Sequence, residues 1–333
     1  MRSSLNFKSE SDFLSWVTRQ THRKSPGLSL GIGDDAALVR VSHSKELILT
    51  TDMSIEGVHY KVGLHPPEAV GHRALARSLS DVAAMGGTPR YALISLAISQ
   101  SATRAWVERF FRGFLALARQ FSVAVIGGDT AIVPGPGSVD VVVAGVAERG
   151  RALRRSTARA GDGIFVSGTL GMSALGLRLL PARTRRHKPE ERAALRAHLF
   201  PQPQCSLGRF LARRRLASAL MDLSDGLSID LERLCQASSV GATLFADRIP
   251  LPPVRNIAKA MDLALNGGED YQLLFTVNPA RAAKIPRRFG NTRLQSIGEI
   301  RAGEGIEMVT PEGARQPLKA GGYDHFAQIR HQT

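Results

Sequence analysis

Cysteine is nearly absent from this chain of 333 residues: Cys205 and Cys235 stand alone, neither with a CxxC partner. That excludes a cysteine zinc site and fits a reducing compartment. Long apolar runs are missing as well, and none approaches the ~20 residues of a membrane span. The opening residues, MRSSLNFKSESDFLSW, carry no apolar stretch and no small-residue cleavage site, so the chain reads as cytoplasmic rather than secreted. There is no GK[ST], hence no P-loop lysine, and no HRD with DFG, hence no protein-kinase catalytic loop. Aromatics are only 6%, and no zinc-finger, RNP or basic-zipper pattern occurs.

Apolar residues make up 43% of the chain and charged ones 22%, the ordinary balance of a folded globular protein. The length suits two domains, each with its own core. The net charge of +15 raises the alternative of a basic nucleic-acid-binding protein. Against it, the basic clusters RALRRSTAR (151–159), ARTRRHK (182–188), ARRRL (212–216) and IPRRFG (285–290) are spread over helix faces and turns, as solvated charge usually is.

Strand-like and helix-like segments alternate, which predicts an α/β or α+β architecture. Strands are expected at 36–41, 46–51, 91–98, 123–128 and 141–148, the one at 123–128 running into a turn. Helices are expected at 67–87 and 103–121, the second capped by Ser101 or Thr103. A second unit begins near GDGIFVSG (161–168), with helices at 172–180, 191–199 and 226–238, strands at 218–224 and 271–277, and an exposed basic loop at 181–190. The expected division is an N-terminal domain of residues 1–155 and a C-terminal domain of 156–333.

Six segments share one grammar, an apolar element beside an acidic residue next to Gly, Ser or Thr. They are GIGDDAALV (31–39), LTTDMSIEGVHY (49–60), LSDVAAMGG (79–87), VIGGDTAIV (125–133), MDLSDGLSIDL (221–231) and NGGEDYQLLF (266–275). Singly, each reads as a turn or a helix cap. Together they read differently, because Asp35, Asp52, Asp129 and Asp222 fall where strands meet turns, the place where α/β proteins build sites. None of the six contains Lys or Arg, so local neighbours cannot neutralise the carboxylates. Hard divalent cations can: Mg²⁺ takes oxygen ligands from carboxylates and substrate phosphates, and Thr50, Thr51 and Ser224 add hydroxyls. Asp222 alternates with Met221 and Leu223 and so points away from both.

In combination and in order, GIGDDAAL, TTDMSIEGVHY, SDVAAMGG, IGGDT, LSDGL, GGEDYQLLF and the terminal GYDHF (322–326) resemble the thiamine-monophosphate kinase family, over residues 31–326. The resemblance implies the two-domain fold of aminoimidazole ribonucleotide synthetase, with an N-terminal domain whose sheet pairs into a homodimer. It implies ATP-dependent phosphorylation of thiamine monophosphate to thiamine diphosphate with several Mg²⁺ ions. It also implies metal ligands at Asp35, Thr50, Thr51, Asp52, Asp81, Asp129, Asp222 and Asp225. Nucleotide contacts are implied at Gly128, Asp129, Arg155 and Ser224, and substrate contacts at His59 and Glu269. A phosphate-monoester acceptor is already ionised near neutral pH, which predicts direct in-line transfer with no phosphoenzyme and no essential base. One departure stands out: Ala320 occupies a position where the family often carries an aromatic residue. A sister enzyme of the same fold is the nearest alternative; the selenophosphate branch would place a reactive cysteine near its N-terminus, whereas the first here is Cys205.

Overall fold

The computed structural model describes residues 28–30 and 34–322; the glycine turn 31–33 and the GYDHF motif from Tyr323 onward lie outside the described residues. The first unit comprises β1 (Leu28–Leu30), β2 (Ala37–Arg40), β3 (Lys45–Ile55), α1 (Pro67–Ala84), β4 (Thr88–Ser99), α2 (Arg104–Gln120), β5 (Ala124–Val133) and β6 (Ser138–Glu148). Its strands form one sheet in the order β1-β2-β3-β6-β4-β5. Along β3, β4 and β6 burial alternates residue by residue, the mark of a sheet covered on one face. The covering helix is α1, and α2 packs across it at two glycines. A Cβ on Gly71 would lie 2.0 Å from the Phe110 carbonyl oxygen, and one on Gly113 would lie 1.9 Å from that of Glu68, so only glycine permits this approach. Thr103 caps α2 by accepting from the Trp106 N–H at 3.1 Å, which settles the choice between Ser101 and Thr103.

The second unit runs through β7 (Gly163–Ser167), α3 (Met172–Leu179), α4 (Pro189–Leu199), α5 (Cys205–Arg213), β8 (Ala219–Leu223), α6 (Leu227–Ser238), β9 (Gly241–Phe245), α7 (Ile257–Asn266), β10 (Gln272–Val277), α8 (Pro279–Ala282), β11 (Arg288–Phe289), β12 (Thr292–Arg301), β13 (Ile306–Val309) and β14 (Arg315–Pro317). The sheet order is β14-β13-β9-β12-β7-β10-β8, with β11 paired to β12. Leu220, Leu273, Phe275 and Val277 join the core that contains α1, whereas Ala219, Met221, Leu223 and Leu274 join a second core with Leu227, Leu231 and Leu234 of α6. One face of this sheet therefore rests on the first unit, and β8, at the sheet's edge, carries Asp222 on that face.

Two strands run further than the sequence implies. β3 continues through Asp52 to Ile55, and β5 continues through Gly127 and Gly128 to Val133, so Asp52 and Asp129 sit inside strands rather than at strand–turn junctions. The glycines do not end β5 because it is an edge strand with a register shift after its pairing with Ala92, and at Gly128 a Cβ would lie 1.9 Å from the Ile94 carbonyl oxygen. The elements α5, β9, α7, α8 and β11–β14 are not anticipated from the sequence.

Candidate active site

Three carboxylates from three distant parts of the chain meet. Asp35 follows the glycine turn, Asp81 lies near the end of α1 and Asp222 lies on β8; each offers an oxygen within 4.8 Å of the others. At that spacing like charges repel by roughly 3 kcal/mol per pair at an effective dielectric of 20. Thr50 on β3 donates to Asp81, and Ser80 on α1 donates to Asp222 at 2.6 Å. Asp52, two residues on from Thr50 and so on the same face, lies beside Asp81 with Arg77 Nε at 3.7 Å. Burial pushes Asp81 and Asp222 well above the usual carboxylate range, and their acidic neighbours push the same way. Asp35 and Asp52 are also raised by burial, which Arg155 and Arg77 only partly oppose. One oxygen of each, Asp35 Oδ2 and Asp52 Oδ2, is buried without a hydrogen-bond partner.

Asp34 and Asp35 are told apart by their partners. Asp34 Oδ1 accepts the Asp35 N–H at 2.9 Å and Oδ2 accepts the Arg155 N–H at 3.2 Å, so its oxygens are engaged by the backbone. Asp35 pairs with the Arg155 guanidinium through Oδ1 and leaves Oδ2 toward the cluster. Arg155 itself stands in the short 3₁₀ turn Arg155–Thr157 that follows β6, with only 17% of its side chain exposed. The run of basic residues around it looks like surface charge in sequence; in the structure Arg155 turns to Asp34 and Asp35.

Not every expected ligand is brought in. Thr51 neighbours Thr50 on a strand and therefore faces the other way, where its hydroxyl donates to Asp140 at 2.8 Å on the exposed face. Gly128 and Asp129 lie on the edge strand β5, where Asp129 is exposed and accepts the Thr130 N–H. Asp225 is held by Arg233 Nη1 at 2.5 Å, while Asp230 accepts the backbone N–H groups of Ser224, Asp225 and Gly226 at 3.0–3.1 Å. Ser224 lies two residues beyond Asp222, its carbonyl accepting the Glu269 N–H at 2.6 Å.

His59 and Glu269 form a second locus. Glu269 has a left-handed backbone (φ 66°), as does Tyr271 (φ 48°). Asp270 between them ties this turn to α3 by accepting the N–H groups of Gly171 and Ser173 at 2.5 and 2.9 Å. Burial pushes the Glu269 carboxyl up, but the charges of Arg73 and Arg77 and the Arg73 hydrogen bonds outweigh it and hold it down to about 2. Ala320 is exposed, and the glycine after it is tied by its N–H to Ser228 of α6 at 3.1 Å.

Arg73, Arg77 and Arg233 are the site residues that the sequence reading misses, whereas Arg155 is among those it names. Arg73, Arg77 and Asp81 recur every fourth residue along α1 and share one face of it, a polar row in an otherwise small-residue helix. That period was available in the sequence, but only the apolar positions of this helix were read. The carboxylates are thus partly countered by arginines from other elements, and these take the margins: Asp34 and Asp35, Asp52, Asp225, Glu269. Among the described residues, no arginine pairs with Asp81 or Asp222.

Two family models match the chain, AIR synthase related protein, N-terminal domain, over residues 33–148, and AIR synthase related protein, C-terminal domain, over residues 159–310. The chain is 34% identical over 326 residues to the thiamine-monophosphate kinase of Bacillus subtilis (strain 168), covering 95% of this chain and 99% of that protein. It is 36% identical over 308 residues to the thiamine-monophosphate kinase of Escherichia coli (strain K12), with coverage of 90% and 93%. A solved structure of AaThiL complexed with AMPPCP and TMP aligns with a TM-score of 0.82 at 34% identity, covering 95% of this chain and 97% of that one.

Proposed function

The chain belongs to the thiamine-monophosphate kinase family of AIR synthase related proteins, and on that premise we propose that its carboxylate cluster holds Mg²⁺ between ATP and the acceptor phosphate. The protein is a kinase that phosphorylates thiamine monophosphate with ATP, yielding thiamine diphosphate. The observation that carries the metal reading is the convergence of Asp35, Asp81 and Asp222, with no arginine among the described residues paired with the last two. The donor set fits Mg²⁺: it is all hard oxygen, and the buried Oδ2 atoms of Asp35 and Asp52 have no other partner. When bound, Mg²⁺ neutralises charge on two phosphate groups that would otherwise repel and on the leaving oxygen.

The chain's own residues do the positioning. Asp35, Asp81, Asp222, Asp52 and Thr50 form the cation seat, and Arg155 and Ser224 lie beside it to receive the nucleotide. His59 and Glu269 face the thiamine rings. The ionised acceptor attacks directly, without a phosphoenzyme and without a protein base. Gly128 and Asp129 are placed differently, on β5, whose residues are exposed along nearly its whole length, Ile126 at 59% and Ile132 at 71%. That edge continues into the uncovered sheet face bearing Met53, Tyr91 and Leu93, which a second copy of the chain covers in a homodimer. Among the described residues no helix is long and apolar enough to cross a membrane, and the buried free thiols of Cys205 and Cys235 support a cytoplasmic location.

The test is product formation from ATP, Mg²⁺ and thiamine monophosphate, resolved by chromatography, with thiamine as a second acceptor. Thiamine diphosphate appears only from the monophosphate, and chelation abolishes it. Metal-dependent ATP turnover without that product would reassign the acceptor; undiminished transfer after chelation would remove the metal from the site.

A further inference from the structure

One guanidinium touches both residues assigned to the thiamine rings. Arg73, on α1 with 6% of its side chain exposed, donates through Nη2 to both oxygens of Glu269, at 2.5 and 2.6 Å, and to the His59 carbonyl at 3.2 Å. Its Nη1 donates to His198 Nε2 at 2.8 Å. His198 ends α4 and is buried, as is His65, whose Nε2 lies 3.2 Å from the same His198 nitrogen.

The protons on this network can be assigned from its donors. The Lys61 N–H donates to His65 Nδ1 at 3.1 Å, so the His65 proton is on Nε2 and points at His198. His198 Nε2 then turns its single lone pair to two donors, Arg73 at 2.8 Å and His65 at 3.2 Å. Its own proton is on Nδ1, 3.0 Å from Ser173 Oγ and 3.7 Å from Glu269 Oε2. A proton added to His198 Nε2 would oppose two N–H groups and the Arg73 charge. Burial and Arg73 accordingly push His198 down to about 3 and His65 to about 4, although Glu269 pulls both the other way. Arg183 adds a further positive charge facing His65.

We propose that Arg73 and neutral His198 are positioning residues for the acceptor: together they fix the Glu269 carboxylate relative to His59 and so set how the rings of thiamine monophosphate seat, without touching either phosphate. This rests on the reading of His59 and Glu269 given above. Ala320 itself offers no ring to stack on. The frame joins three separate pieces of the chain, α1, α4 and the 267–271 turn, so no one of them fixes Glu269 alone.

Steady-state kinetics of the full chain, varying thiamine monophosphate and ATP separately, test the proposal with Arg73→Lys, His198→Ala and His198→Gln. Arg73→Lys, which replaces a fork by a point charge, raises KM for thiamine monophosphate about tenfold or more and moves KM for ATP less than about twofold. His198→Ala gives a smaller rise of the same kind. His198→Gln, whose Oε1 can accept where Nε2 does, restores KM to within about twofold of the unmodified protein. Equal shifts for both substrates, a loss of kcat alone, or a Gln variant no better than Ala would overturn the proposal. Should Arg73→Lys fail to fold, the two His198 variants decide the matter. Unmodified protein that makes no thiamine diphosphate would overturn the functional reading and this proposal with it. Normal turnover with an unmoved KM overturns the positioning role alone.

Discussion

The two sheets bury themselves differently. In the first, β3, β4 and β6 alternate buried and exposed residues; in the second, β8, β9 and β10 are buried almost without a break. The first sheet is covered on one face by α1 and leaves the other, with Met53, Tyr91 and Leu93, to solvent. The second is clamped between the α1 side and α6, and its strands read as continuous apolar runs. The difference locates the chemistry. Asp222 interrupts a strand buried on both faces, and it does so on the face that meets α1, opposite Asp81 and Asp35. A carboxylate there has little water to ionise into and, among the described residues, no arginine paired with it, which is the setting the proposed cation would answer.

The largest expected effect separates site from scaffold. Asp222→Asn lowers kcat/KM for thiamine monophosphate by about 10³-fold or more, as loss of a charge that acts on the reacting phosphates should. Because burial raises this carboxyl in the metal-free protein, its ionised form is a burden on the fold at neutral pH, and the Asn variant melts no lower than the unmodified chain without metal. An Asn variant with both activity and melting temperature reduced would mean that Asp222 is structural. Next comes the shared core. Phe275 is fully buried and stacks on Phe165 at 5.5 Å between ring centroids, within the cluster that also holds α1. Phe275→Ala costs about 3–5 kcal/mol. Because that cluster spans both units, calorimetry should show one transition moved as a whole; two transitions, only one of them moved, would mean that the units are energetically separate.

The same contrast explains what was legible in the sequence. Asp35, Asp81 and Asp222 announce themselves as acidic residues within two positions of Gly33, Ser80 and Ser224 in apolar surroundings, and the alternation of Met221, Asp222 and Leu223 gives the direction of the last. The first sheet's strands are readable because one-sided burial leaves a period of two. Thr51 and Asp129 show the limit of that reading. A Thr-Thr-Asp run looks like three clustered oxygens, but neighbouring residues on a strand face opposite ways, and only the length of β3 reveals that the run is strand throughout. Arg73 and Arg77 repeat at the spacing of Asp81 along α1, a period legible in the sequence, but their partners Glu269 and Asp52 come from other elements, which no single-segment pattern reports.

A smaller effect comes from the buried histidines at the junction. His65 and His198 have folded-state values of about 4 and about 3, below their ordinary 6.5. The unfolded chain therefore binds protons that the folded chain refuses, and stability falls as pH drops from about 6.5 toward those values, by about 1.4 kcal/mol per pH unit for each histidine. The raised carboxyls Asp81 and Asp222 work with the opposite sign, gaining stability as pH falls. The comparison to make is thus unmodified protein against His198→Gln. Denaturant midpoints between pH 7 and pH 4.5 should fall less for the variant; parallel curves would mean that His198 is charged in the folded state.

The smallest effect on the fold falls on the uncovered face, where the comparison can be broken outright. Leu93 is 41% exposed on β4, and Tyr91 beside it is 50% exposed. In a lone protomer, Leu93→Lys should change stability by no more than about 0.5 kcal/mol, because the lysine head remains in water and its stem lies along the sheet. In a dimer closed over this face, the same lysine must be desolvated opposite its own copy, since a two-fold interface presents each patch to itself. Light scattering across a concentration series should then show a dimer for the unmodified protein and a monomer for Leu93→Lys, with protomer melting barely changed in dilute solution. A variant that remains dimeric would place the contact elsewhere, and the outer face of the first sheet would be no more closed by a partner than it is by a helix.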